Sequence, residues 1–183
     1  TYVYEPGQET ILPRAWNSEH AATYQSILGL QEGERPTFGQ NLYFMFQHQI
    51  GTMYMRYFMW NFAGRESDEQ GADWLKPTQW FSKVPAALAE NKGRNNFFMI
   101  PFVLGLIGMF YQFVKDTKNF SVIALLFVML GVAIVFYLNS PPTEPRERDY
   151  IYAGSYYAYA FWIGLAVIGI FEMINSVLKN GKT

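Results

Sequence analysis

Two apolar runs, Phe97–Val114 and Phe120–Leu138, hold 18 and 19 residues and are separated only by Lys115-Asp116-Thr117-Lys118-Asn119. At about 1.5 Å of rise per residue, each helix covers most or all of the about 30 Å of a bilayer's hydrocarbon. A five-residue link between them permits only an antiparallel hairpin. A third run, Tyr156–Leu178, has 23 residues with Glu172 near its far end, where the carboxylate is expected to snorkel to the surface. The chain therefore reads as an all-α integral membrane bundle with three transmembrane helices. Parity then places the 63–96 loop and the 139–155 connector on one membrane face, with Lys115, Lys118, Lys179 and Lys182 on the other.

Between the second and third runs lies Pro141-Pro142-Thr143-Glu144-Pro145-Arg146-Glu147-Arg148-Asp149-Tyr150. Three prolines fix φ and remove backbone donors, so this connector is rigid and extended, and it holds five charges at the bilayer surface. Upstream, Asn41–Phe62 is 22 residues rich in Phe, Tyr, Met and Trp with Arg56 as its one formal charge. At helical spacing Asn41, His48, Thr52 and Arg56 form a stripe with Gln49 beside it. Two geometries fit this fourth helix. It spans with its stripe turned to other helices, because an arginine in hydrocarbon costs at least about 2.5 kcal/mol, or it lies along the interface with Arg56 at the headgroups.

The remaining segments are polar. Residues 1–40 form a connector broken by Pro and Gly, with a short helix over Ser18–Leu30 capped by Ser18 and ending near Gly29. They open at Thr1 without the pattern of a signal peptide, which reads as a segment of a longer chain. Residues 63–96 form a loop with a short helix near Val84–Glu90, longer than a simple connector requires. The domain order is thus 1–40, 41–62, 63–96, 97–114, 120–138, 139–155 and 156–178.

Several classes of chemistry lack their residues. The chain has no cysteine, only two histidines and a net charge of −1, which leaves no thiolate or His-rich metal site and no basic field for nucleic acid. No phosphate-binding glycine loop, dinucleotide fingerprint, HExxH or GxSxG occurs. No cofactor or metal is expected. What stands out is Arg56, Arg65, Arg146 and Arg148, brought to one face by parity. The guanidinium fork matches phosphate oxygens, so these are candidate contacts for a lipid-linked phosphate; the alternative is pairing with Glu66, Asp68, Glu144, Glu147 and Asp149. Asp68, Glu144 and Asp149 are candidate acid–base groups or salt-bridge partners. His48 is a candidate proton relay or a simple hydrogen-bonded histidine. Tyr150, Tyr152, Tyr156, Tyr157, Tyr159 and Trp162 read as an interfacial aromatic belt or sugar-stacking surfaces. Ala160 and Gly164 form a small-xxx-small pair.

The stretches PTFGQNL (Pro36–Leu42), MRYFMWNFAGR (Met55–Arg65) and PPTEPRERDYIYAG (Pro141–Gly154) followed by SYYAYAFWIGL resemble a known family. They are similar to the multi-pass inner-membrane proteins of Bacteroidetes-type bacteria grouped with the protein O-mannosyltransferase-like glycosyltransferases of the GT-C class, over roughly Ile11 to Leu178. Glu66 stands where that family has glutamine, and Thr52 where a histidine is common. The resemblance implies a longer enzyme that passes a sugar from a polyprenyl-phosphate donor to an exported acceptor, protein Ser or Thr, on the non-cytoplasmic face. Counting basic residues marginally favours the cytoplasmic face for the same loops. The family's catalytic carboxylate lies in an early loop absent from this sequence, so the catalytic residues stay unknown. Membrane lipid, lipid-linked sugar, the exported acceptor and membrane partner subunits are the implied partners. Two further readings stand beside this one: a non-catalytic subunit that docks a partner on the rigid connector, and a transporter of lipid-linked sugar using the polar stripe.

Overall fold

The computed structural model describes residues 12–15 and 17–180, which are mostly helical at 66% helix. The first eleven residues of the expected 1–40 connector, and Lys182 of the expected lysine face, lie outside them. Asn17 rather than Ser18 caps the first helical segment, its side chain accepting from Glu19 N at 2.9 Å; a 3-10 turn then leads into α1 (Ala21–Leu28), which ends at Gly29. A capping box opens the next run: Gln40 N donates to Thr37 Oγ1 at 3.3 Å while Thr37 N donates to Gln40 Oε1 at 2.9 Å.

That run is continuous over 38–62 but not uniform. It consists of α2 (Phe38–Tyr43), a π-helical stretch Phe44–Met55, and α3 (Arg56–Phe62). The wider turn appears where Arg56 N reaches back five residues to Gly51 O, and it turns side chains away from an α-helical stripe. The run lacks the apolarity of the helices that follow, and its burial is concentrated in the second half: Tyr54, Tyr57, Phe58 and Trp60 are core residues with Phe44 and Met45 upstream, while Phe38, Tyr43, Phe46 and Met55 are exposed.

The loop after α3 is closed at its base by two short antiparallel strands, β1 (Gly64–Arg65) and β2 (Asn95–Asn96), in the register Gly64 with Asn96 and Arg65 with Asn95. Within it, α4 (Ala86–Ala89) is shorter than the expected Val84–Glu90. The closure shortens the first apolar helix. Phe97 N is held by Ala63 O at 3.2 Å, and Phe98 and Met99 take left-handed φ values of 51° and 56°. Helix α5 accordingly runs Ile100–Lys115, 16 residues with Pro101 in its first turn, instead of Phe97–Val114.

The expectation of three long spans is thereby corrected: two helices are long and apolar enough to cross a membrane, Thr117–Leu138 with 22 residues and Asp149–Lys179 with 31. The first is α6 (Thr117–Met129) and α7 (Val132–Leu138), broken at Leu130–Gly131 beside the Tyr54 hydroxyl. The second is a 3-10 turn, Asp149–Tyr152, continuing into α8 (Ala153–Asn180). Only 11% of the most apolar stretch of each is buried within the molecule.

The expected hairpin is present and tighter than the sequence suggested, with Asp116 alone outside the helices and capping α6 through Asn119 N at 3.2 Å. At this end Glu172 does not simply snorkel. It pairs with Lys115 at 3.0 Å and accepts from the Tyr111 hydroxyl at 2.9 Å, tying α8 to α5. Helices α5 and α8 pack closely because Gly105 faces the Tyr159 ring and Gly108 the Trp162 main chain. Around them stand Phe58, Phe62, Phe127, Tyr159 and Trp162, with Tyr159 4.8 Å from Phe58 and 4.7 Å from Phe62 between ring centroids. The expected aromatic belt therefore divides. Tyr152, Tyr159 and Trp162 are buried in the core, while Tyr150 and Tyr157 face outward.

Candidate functional site: an arginine and glutamate platform

The parity argument predicts that the 63–96 loop and the charged connector share a face, and they touch. Gln70 Nε2 donates to Glu144 O at 3.1 Å and Gly71 N to Glu147 Oε1 at 2.6 Å. The N-terminal segment joins them, with Arg14 N on Asn139 Oδ1 at 3.2 Å and a Thr143 Oγ1 to His20 Nδ1 contact of 2.8 Å.

Glu147 is the hub of this platform. Its carboxylate accepts from Arg56 Nη1 at 3.2 Å and Nη2 at 3.0 Å, from the Tyr57 hydroxyl, and from Gly71 N. Arg56 is held elsewhere as well: Nε donates to Thr52 O at 2.9 Å and Nη1 to Ala72 O at 2.8 Å, and its guanidinium lies over the Tyr57 and Trp60 rings at 4.7 and 4.9 Å. The two side chains are only 11% and 19% exposed. Burial pushes the Glu147 carboxyl up, but hydrogen bonds from Tyr57, Arg56 and Gly71, together with the Arg56 charge, outweigh it and hold the group below the usual carboxylate range. An anionic oxygen with this many donors is a clamp, not a proton acceptor waiting for substrate.

The other sequence-predicted residues separate by what they touch. Arg148 pairs with Glu144 at 3.1 Å within the connector. Asp68 accepts from Asn91 Nδ2 at 2.6 Å and is committed to shaping its loop. Asp149 opens the 3-10 turn before α8, where a negative charge suits the exposed N–H groups. Arg146 is exposed and reaches the Tyr150 hydroxyl at 3.4 Å. Arg65 lies over the Trp60 ring at 3.9 Å, and its buried Nε makes no hydrogen bond among the described residues. Neither Arg65 nor Arg146 has a carboxylate partner among those residues.

The polar stripe on the 38–62 run packs against the connector. His48 Nε2 lies 3.0 Å from Pro142 O, and Gln49 Nε2 donates to Asn139 Oδ1 at 3.0 Å and Ser140 O at 2.9 Å. Burial lowers the His48 pKa and the nearby Arg56 charge lowers it further, against a raising contribution from Pro142 O, so the ring is neutral near pH 7. It therefore donates from Nε2 to that carbonyl. The stripe that suggested a transport path is occupied by these bonds, and Thr52, expected on it, is turned out by the π turn with its hydroxyl on Gln47 O at 3.3 Å.

Sequence reasoning named Glu147 only as one of several pairing acids and passed over Tyr57 and Gly71. The available signal was Arg56 itself: a lone arginine inside an aromatic run needs an acid, and the connector is the only charged segment that parity delivers beside the loop. Among the described residues no group of three His, Asp or Glu side chains could hold a metal ion. A cavity of about 850 Å³ lies apart from the hub, between α1 and the start of α2, with Arg14, Tyr24, Arg35, Phe38 and Asn41 in its wall.

A family described as of unknown function (DUF8416) matches residues 1–46, a region that includes α1, the Thr37 capping box and the first turns of the 38–62 run. No curated protein and no solved structure matches the chain.

Proposed function

We propose that this chain is part of a membrane glycosyltransferase that takes sugar from a polyprenyl-phosphate donor and delivers it to an exported acceptor, serine or threonine of a protein. In this reading α5, α6 with α7, and α8 cross a bacterial inner membrane, and the platform lies at the non-cytoplasmic face. The poor burial of the two long apolar helices supports a lipid environment. The shorter α5 reaches its far surface through Lys115, whose long side chain can extend to the headgroups.

The observation that carries the reading is the division among the four arginines. Arg56 is neutralised by Glu147 and ties the 38–62 run to the loop and the connector, whereas Arg148 is neutralised by Glu144 within the connector alone. Among the described residues Arg65 and Arg146 have no carboxylate partner, and stacking on Trp60 fixes the plane of the Arg65 fork. These two are the proposed contacts to the donor phosphate, where they neutralise charge as the glycosidic bond breaks. The acid–base residue is assigned to another part of the enzyme: Asp68 and Glu144 are committed to Asn91 and Arg148, and Asp149 stands at the opening of the turn that leads into α8.

The test is transfer of radiolabelled mannose from polyprenyl-phosphate mannose to exported protein, in membranes carrying the intact protein. A charge-assisted hydrogen bond contributes about 1.5–3 kcal/mol, so Arg65→Ala and Arg146→Ala should each lower kcat/KM about tenfold or more. Arg148→Ala should leave transfer close to normal. Equal loss from all three variants would reject the division. A second reading, a non-catalytic subunit docking a partner on the connector, is favoured by the saturation of Glu147; absence of transfer from the intact protein with every polyprenyl-linked sugar offered would move the conclusion there.

A further inference from the structure

Phe81 and Tyr137, each 87% exposed, are the least covered large apolar side chains among the described residues. Tyr137 belongs to one of the two long apolar helices, whereas Phe81 stands in the otherwise polar 63–96 loop. The loop holds it out by construction. Lys76 N donates to Gln79 Oε1 at 3.0 Å and Ser82 Oγ to Thr78 O at 3.1 Å, so the chain turns tightly through Pro77–Gln79 and projects Trp80 and Phe81 as a tip.

Phe98 fixes where that tip lies. Its ring packs edge-on against Trp80 at 5.5 Å and beside Phe81 at 6.0 Å between centroids. Phe98 stands two residues before α5, and Phe97, Phe98 and Ile100 are exposed themselves. The tip is therefore continuous with the apolar surface of α5, at the level where that helix enters the hydrocarbon. Charge favours the same occupant. No Asp or Glu occurs from Trp74 to Ala89, while Lys76 and Lys83 flank the tip. Lys76 is held by Asp73 at 2.7 Å, but Lys83 is exposed and has no ion pair among the described residues. An aromatic tip beside a free lysine matches a bilayer surface, where rings sit among headgroups and ammonium groups meet lipid phosphates.

We infer that the Trp80 and Phe81 tip docks on the lipid surface beside α5, with Phe81 at the boundary of headgroups and acyl chains and Lys83 on anionic headgroups. This rests on the membrane reading above. Lipid is selected over a protein partner because it already surrounds α5 at this height, so a partner would have to displace it. The 63–96 loop is then fixed at its middle as well as at its β1 and β2 base. Arg65 pairs with Asn95, three residues before Phe98, so the docked loop holds the proposed donor-phosphate contact at the headgroup level.

The absence of cysteine gives the test a silent background. Single-cysteine variants of the intact protein are labelled with bimane in vesicles of phosphatidylcholine mixed with phosphatidylglycerol. The label at Phe81→Cys should be quenched by a lipid carrying a nitroxide near its headgroup and shielded from aqueous iodide. Glu69→Cys, exposed in the acidic turn of the same loop, should show the reverse. Val103→Cys, exposed on α5, reads membrane insertion alone. Adding Lys83→Gln to Phe81→Cys should lower the ratio of docked to undocked loop about fivefold in the mixed vesicles and leave it unchanged in phosphatidylcholine alone. Equal ratios in the two vesicles would overturn the role given to Lys83. Iodide reaching Phe81→Cys as freely as Glu69→Cys, while Val103→Cys answers only to the lipid quencher, would overturn the docked tip and leave the membrane reading standing. Iodide reaching Val103→Cys equally well would overturn both.

Discussion

Glu147→Ala is expected to destabilise the protein by about 3 kcal/mol, the lower end of what breaking a buried ion pair costs, because Glu147 keeps some contact with solvent. The loss has identifiable parts. Arg56, whose side chain is 11% exposed, would keep its positive charge between Tyr57 and Trp60 with no counter-ion. The Tyr57 hydroxyl and Gly71 N would lose their acceptor, and the loop would keep only the Gln70 bond to the Glu144 carbonyl of the connector. Tyr57→Phe removes one donor and should cost about 1 kcal/mol. The acid dependence follows in sign from the depressed Glu147 pKa. Its contribution is complete above the unfolded carboxylate value of about 4.3 and is lost as pH falls through the lower folded value. Glu147→Gln should therefore flatten the acid limb of stability against pH. Denaturant unfolding of the solubilised protein between pH 3 and 7 checks both, each pH an experimental setting of roughly one-unit steps spanning that carboxylate value. A Glu147→Ala protein within about 0.5 kcal/mol of the parent would show that Arg56 finds another partner and that the platform is not held by this clamp.

The apolar runs of α6–α7 and α8 were legible because a long uncharged run has few ways to fold. The hairpin of α5 with α6, and the parity that it sets, followed from one short link. The length of α5 was not legible, because it is set by Ala63 O capturing Phe97 N and by the left-handed turn at Phe98 and Met99, contacts between residues over thirty apart. The π turn hid the orientation of the 38–62 run in the same way: a period of 3.6 put Thr52 on the stripe, and the wider turn put Gln49 there instead. At the platform, sequence could say that arginines and acids meet but not which pairs form. Arg56 selects Glu147 across 91 residues, whereas Arg148 takes the local acid at Glu144. That selection is tertiary geometry, and it separates the structural arginines from Arg65 and Arg146.

Gly108→Val is expected to be the most damaging single substitution in the apolar helices, because it separates α5 from α8. A Cβ at Gly108 would overlap the main chain of Trp162 and lie 2.8 Å from Ala166 N, and main chain cannot rotate away as a side chain can. The helices would have to move apart by more than an ångström, opening the contacts between Trp162, Gln112 and Phe120. Overpacking costs about 1–3 kcal/mol where side chains can adjust, and a backbone collision belongs at or above the top of that range, about 3 kcal/mol. Gly164→Val places the same methyl groups on the same bundle in open space and should leave single-chain stability within about 0.5 kcal/mol. The pair thus separates two causes. If both variants lose stability alike, helix propensity or the lipid environment is responsible and the close approach of α5 and α8 is not what holds the bundle. If only Gly108→Val falls, the contact at Trp162 is the joint on which α8 is mounted, and the bond from Trp162 Nε1 to Gln112 Oε1 forms only while that joint is closed.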